Sequence, residues 1–257
     1  MKKFIAMLLV LVMAMSFAAC GASEPAETPA EPSETTPAEP SETTPSEPAF
    51  DPLQKAEGTM TYAEYAAAAL ESPVVVECFV QGNQSWWDNK ITVYAQDPDG
   101  AYFLYEMACS EEDAAKLVKG TKIKVTGYKA EWSGELEIID STFEILEGNC
   151  VAEAQDVTEL QGSDELINQQ NKFDSFKGLT VENIEYKNGE PGDDIYVTFG
   201  YNGASYDFCV ERYLTGPETE VYAAVGALKA GDVVNVEGFL YWYNGANTHI
   251  TSVTPAA

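Results

Sequence analysis

Basic charge is what this sequence has least of: 14 lysines and arginines stand against 42 aspartates and glutamates, a formal charge of −28. Affinity for nucleic acid comes largely from neutralising phosphates with cations, so nucleic acid is expected to be disfavoured as a partner. Histidine is nearly missing as well. The single one, His249, has no G-x-S-x-G elbow to serve, and a Ser-His-Asp arrangement needs a histidine that meets an exposed serine. Acidic pairs such as Glu111-Glu112 and Asp193-Asp194 sit where helix starts and turns favour acids, so a hydrolase is the least favoured reading and no catalytic residue is predicted. The five cysteines match no zinc spacing. Asp97-Pro98-Asp99-Gly100 has the start of a calcium loop without its remaining oxygen ligands, and a hairpin turn explains it equally. No metal or cofactor is expected. Long hydrophobic runs are lacking too: Phe4–Met15 is short for a membrane span.

That run follows Lys2 and Lys3 and precedes small residues, the pattern of a secretory signal peptide over residues 1–20. Ala18-Ala19-Cys20 resembles the lipobox of bacterial lipoproteins, with Phe17 where leucine is commoner. The resemblance implies a diacylglyceryl group on Cys20 and a lipid anchor at the extracytoplasmic face of a bacterial cell membrane, the membrane being the partner there. Ordinary cleavage near Ala19 is the alternative. Residues 21–50 carry the octad AEPSETTP twice in succession and no large apolar residue before Phe50. Low hydrophobicity, proline and one-sign charge predict a disordered, extended stalk. Beyond Cys20, Cys78, Cys109, Cys150 and Cys209 are expected to be buried free thiols rather than bridges.

The rest of the chain is organised by a repeat. Lys119–Asp140 recurs at an offset of 111 residues, with Gly120, Gly127 and Gly134 matched by Gly231, Gly238 and Gly245. Each glycine suggests a distinct task. The first follows a helical stretch, the second lies inside a strand, where a bulge is expected, and the third closes a two-residue hairpin as Ser133-Gly134 or Asn244-Gly245. Around them the period-two alternation of half-buried strands is clear. Thr61-Tyr-Ala-Glu64 fits a capping box ahead of a helix running to about Leu70. Strands are read at Val74–Val80, Ile91–Gln96 and Ala101–Met107, then a short helix capped by Ser110, then two more strands. After a polar linker over 148–162, a helical approach across Ser163–Phe176 leads into the same order again from Leu179, with a helix over Pro217–Lys229.

Five strands with a helix between the third and fourth resemble the OB-fold, and LVKGTKIKVTGYKAEWSGELEI is similar to strands four and five of OB-like domains in bacterial lipoproteins. The expected fold is all-β with short helices: two tandem five-stranded Greek-key barrels, residues 51–147 and 163–257, each with that helix, after a disordered stalk. The resemblance implies a binding module using the second and third strands and their loops, for oligonucleotides, oligosaccharides or proteins, without choosing among them. The aromatics Trp86, Trp87, Tyr94, Tyr102 and Trp132 in the first copy, and Tyr201, Tyr241, Trp242 and Tyr243 in the second, lie in loops or opposite apolar rows. They are the candidate ligand-binding residues, expected to receive a glycan or an envelope protein by stacking, which needs no positive charge. The competing reading is a purely structural envelope protein whose aromatics are buried between barrels.

Overall fold

The computed structural model describes residues 51–256; the leader, Cys20 and the stalk lie outside the described residues. Helix α1 (Tyr62–Ala67) opens with the expected capping box: Glu64 N donates to the Thr61 hydroxyl at 3.2 Å and Thr61 N to the Glu64 carboxylate at 2.8 Å. It ends at Ala67 rather than Leu70. The buried ammonium of Lys129 takes the carbonyls of Tyr65, Ala66 and Ala68 at 3.1, 2.8 and 3.0 Å, so the helix end is capped by a side chain from the sheet below.

Strands β1 (Pro73–Asn83), β2 (Lys90–Gln96) and β3 (Ala101–Ala108) precede α2 (Glu111–Ala114), and β4 (Thr121–Trp132) and β5 (Glu135–Asn149) follow it. They close into a five-stranded barrel in the order β1-β2-β3-β5-β4. The N-terminal segment before α1 is clamped to this barrel by the Lys55–Asp97 ion pair at 2.5 Å and by a second, Lys122–Glu77 at 2.9 Å between β4 and β1, whose members also take the Gln54 carbonyl at 3.3 Å and the Ala56 N–H at 3.2 Å.

A short strand β6 (Gln155–Asp156) lies within the stretch read as a linker and pairs in parallel with β7 (Phe173–Tyr186). Between them the expected helix across Ser163–Phe176 is absent. Only 3-10 turns form, at Thr158–Leu160 and Asp164–Gln169, and the strand begins at Phe173 instead of Leu179. Leu166 is the one buried side chain of the second turn, too little apolar face to hold a longer helix, and Asn171 at φ 68° turns the chain into the sheet. Next come β8 (Ile195–Tyr201), β9 (Ala204–Val210), α3 (Glu220–Gly226), β10 (Val233–Phe239) and β11 (His249–Pro255). The second sheet has the order β10-β11-β9-β8-β7-β6, and β10 pairs with β7 as well.

The repeated glycines act as their positions suggest. Register slips at Gly127 between β4 and β5, and at Gly238 between β10 and β11. Ser133 and Gly134 both take positive φ, as do Asn244 and Gly245. One core gathers around Val76, Cys78, Leu104, Ile123 and Val125, another around Phe176, Phe199, Phe208, Val236 and Ile250. Cys78, Cys109, Cys150 and Cys209 are free, and all but Cys150 are buried. A third cluster, Tyr94, Phe103, Phe173 and Phe239, joins the two sheets.

A methyl on Gly238 would lie 2.3 Å from the His249 carbonyl oxygen, and one on Gly127 2.8 Å from that of Ile139. Backbone cannot yield there cheaply, so Gly238→Ala and Gly127→Ala are each expected to cost about 2 kcal/mol. Urea unfolding checks this; unchanged midpoints would show that the bulges are not confined.

Candidate functional site

The aromatic residues do not form one platform. Tyr94 and Tyr102, read as outward-facing, are fully buried. Tyr102 turns into the first core, where its hydroxyl donates to the Asp97 carboxylate at 3.0 Å. Tyr94 does face away from that core, but the second sheet covers it. Its ring stacks on Phe239 at 4.4 Å, and its hydroxyl meets His249 Nδ1 at 2.5 Å. Alternation along a strand separates two faces; it does not say whether the outer face meets water.

Four more of the set are half-buried. Trp86 packs against the first core and donates from its indole to the Cys109 carbonyl at 2.9 Å. Tyr201 packs on the second core, its hydroxyl on the Glu159 carboxylate at 2.8 Å. Tyr241 stacks on His249 at 4.5 Å and meets Phe103 edge-on at 5.3 Å. Trp242 lies over Gly134, where a methyl would sit 2.7 Å from its Cδ1, and its backbone N–H donates to Glu135 at 2.8 Å. Trp132 and Tyr243 are exposed but engage each other, ring centroids 5.2 Å apart. Trp87 is the most open, 70% exposed.

Trp87 owes its position to a two-residue turn. Asp88 and Asn89 take φ 47° and 61°, and Trp87 and Lys90 bond reciprocally at 3.0 and 2.9 Å. The adjacent tryptophans therefore diverge, Trp86 to the core and Trp87 to the rim of a 380 Å³ cleft. Gln84, Trp86, Trp87, Lys90, Glu106 and Tyr213 line it. Tyr213, 54% exposed, comes from the segment after β9, and sequence reasoning passed it over, as it did Lys90 and Glu106. It is tied to the first barrel's loop by Ser85 N donating to its carbonyl at 2.7 Å. From its own side, the Glu211 carboxylate accepts from Tyr213 N at 3.1 Å and Leu214 N at 2.9 Å. Trp132 stands apart with Tyr243 and is not among the residues lining the cleft. The cleft suits stacking of a flat ring; its volume is that of a small-molecule site.

Electrostatics around the junction are unusual. Burial pushes Glu135 up to about 8, Asp174 to about 7 and Glu211 to about 7. Burial also pushes His249 down to about 4, so it is a neutral ring at pH 7. Its partner Tyr94 makes it a satisfied buried histidine. Among the described residues, no group of three His, Cys, Asp or Glu is placed to hold a metal ion.

No protein-family model and no curated protein matches the chain. Solved structures do show likeness. A murine DNA-binding protein bound with double-stranded DNA is 14% identical, with 72% of this chain and 97% of that one covered, at a TM-score of 0.34. The Ifi202 HINa domain in complex with 20bp double-stranded DNA gives 11%, 73%, 98% and 0.33, and the tetrameric p202 HIN2 gives 11%, 73%, 95% and 0.30. Two of these three are described in complex with DNA, whereas glycan or envelope protein was the expectation here and nucleic acid was disfavoured. Burial of Tyr94 and Tyr102 puts two of the nine expected contact residues out of a ligand's reach, which corrects the expectation of an open aromatic face on β2 and β3. Likeness this remote does not in turn give DNA to this chain.

The raised carboxyls fix the sign of a pH effect. The folded chain keeps protons that the unfolded chain has released above about pH 4.5, so their contribution is full below that pH and is lost as pH rises through 7 and 8. His249 has the opposite sign, but only below its ordinary value of 6.5. Between pH 6.5 and 8.5 the melting temperature is therefore expected to fall. Glu135→Gln should flatten the slope by about 1–2 kcal/mol, roughly 4 °C. Thermal melts across that range check it; a rising curve would contradict it.

Proposed function

We propose that this chain is a lipid-anchored, non-catalytic binding protein at the extracytoplasmic face of a bacterial membrane. In this reading it is a tandem pair of OB-like barrels holding a flat small-molecule ring between its halves. The tandem reading is supported by the common strand order: β7-β8-β9-β11-β10 runs as β1-β2-β3-β5-β4 does, with β10 paired back to β7 and a helix after the third strand in each. The lipid anchor rests on the lipobox-like Ala18-Ala19-Cys20. The absence of catalysis rests on the state of the single histidine, neutral and engaged with Tyr94.

The observation that carries the binding reading is the cleft beside Ser85. There an open tryptophan from the first half and an open tyrosine from the second line one 380 Å³ space, held together by a backbone hydrogen bond. Large exposed aromatics on a fixed backbone offer area at little cost in conformational entropy. Stacking of a ring on such a side chain is worth about 1–3 kcal/mol.

A panel of flat heteroaromatic compounds, nucleosides and oligonucleotides titrated by calorimetry tests this. Trp87→Ala and Tyr213→Ala are each expected to weaken binding about tenfold or more, while Trp132→Ala leaves it unchanged. Undiminished binding in Trp87→Ala would remove the cleft as the site. For the anchor, Cys20→Ser should abolish incorporation of a labelled fatty acid and release the chain from membranes. Retention of label would refute acylation at Cys20.

A further inference from the structure

The cleft holds more than aromatic area. Lys90, placed beside Trp87 by the Asp88-Asn89 turn, reaches the Glu106 carboxylate at 2.6 Å. Glu106 has φ 45°, a left-handed backbone that a non-glycine residue adopts at a cost. It lies opposite the place where β2 and β3 slip register between Ile91 and Val93, and its N–H donates to the Thr92 hydroxyl at 3.1 Å. A strained residue held at the rim of a cavity is a better candidate for function than for stability. The pair itself contributes little to folding: its side chains are 45% and 39% exposed, and ion pairs in water are worth about 1 kcal/mol or less. Such a pair is readily exchanged for a ligand's charges.

The signs then select the ligand. A bare anion meeting Lys90 would displace Glu106 into an already strongly acidic surface, since the whole chain carries −28. A bare cation meeting Glu106 would leave Lys90 without its partner. A ligand bearing both charges satisfies both side chains at once and keeps the local charge unchanged. We propose that the cleft takes a zwitterion with an aromatic ring, such as an aromatic α-amino acid. Its ring lies against Trp87 and Tyr213, its ammonium on Glu106 and its carboxylate on Lys90. This rests on the reading of the cleft as a ring-binding site.

Four probes with one ring separate the two ideas: indole, tryptamine, indole-3-acetate and tryptophan, titrated calorimetrically into the full chain at low salt. Tryptophan is expected to bind about tenfold more tightly than indole, with indole-3-acetate the weakest. The advantage should shrink in high salt. In Lys90→Gln tryptophan should fall to the level of tryptamine, and in Glu106→Gln its advantage over indole-3-acetate should vanish. Equal binding of all four probes would overturn the zwitterion and leave the ring site standing. Tighter binding of tryptamine than of tryptophan would also overturn it, in favour of a cation. No binding of any probe overturns the zwitterion; if the wider heteroaromatic panel is silent too, the ring site falls with it. The exposed Lys90 and Glu106 side chains make misfolding of these variants easy to detect, because their melting temperatures should match that of the unaltered chain.

Discussion

The contact on which the rest depends is the stack of Tyr94 on Phe239, flanked by Phe103 and Phe173. Each of these rings removes an amount of apolar surface worth on the order of 2–3 kcal/mol. A buried tyrosine also brings a hydroxyl that must find a partner, and His249 Nδ1 supplies it. That bond gives the chain's single histidine a partner inside, while burial holds its ring neutral. Gly82 belongs to the same contact, since a methyl there would lie 2.8 Å from the Phe239 ring. The aromatic seal thus decides how closely strand β1 approaches the second sheet, and everything along the junction inherits its spacing.

Polar groups pay into that junction unequally. Glu135 is wholly buried, yet one oxygen accepts from Trp242 N, which fixes the loop before β11 against the β4–β5 hairpin. Neighbouring hydrogen bonds do similar work: Asn244 N donates to the Ser133 carbonyl at 2.7 Å, and the Gln170 side-chain amide to the Gly134 carbonyl at 2.8 Å. Asp174 differs. In the first barrel the residue paired with the mid-strand glycine is Val74, a core side chain; in the second sheet the residue paired with Gly238 is Asp174, buried with neither carboxylate oxygen hydrogen-bonded. The position facing the mid-strand glycine is therefore apolar in the first barrel and ionisable in the second sheet, and burial raises the value of Asp174 there.

Much of this architecture could be read from residues. The 111-residue offset, the mid-strand glycines and the capping box at Thr61 are local signals with local causes, and the bulges and hairpin turns appear where they point. The helix expected before β7 failed because polar residues of moderate helix propensity, Asn168 to Lys172, gave no apolar face to bury, while Phe173 and Phe176 had sheet partners far along the chain. The site was legible in part. Two adjacent tryptophans in a polar loop cannot share one core, and they do diverge. Tyr213 gave no signal, because what makes it part of the cleft is a bond from Ser85, 128 residues away. Tyr94 misled for the same reason: its outer face is covered by residues that no neighbouring sequence announces.

The two exposed aromatic groupings are not equivalent, and the difference bears on which can receive a ligand. Trp132 and Tyr243 occupy matching positions of the repeat and lie against each other, so each already spends one face on its counterpart. Loosening them to admit a ring would cost the stacking they now enjoy. Trp87 has no aromatic counterpart: the loop between β7 and β8, residues 187–194, carries none, and Tyr213 reaches the cleft from the segment after β9. Its backbone is held twice, by Ser85 from one side and Glu211 from the other. A wall fixed before binding saves the ligand the entropy of ordering it, so under the proposed reading the cleft owes more to where the two sheets differ than to where they match.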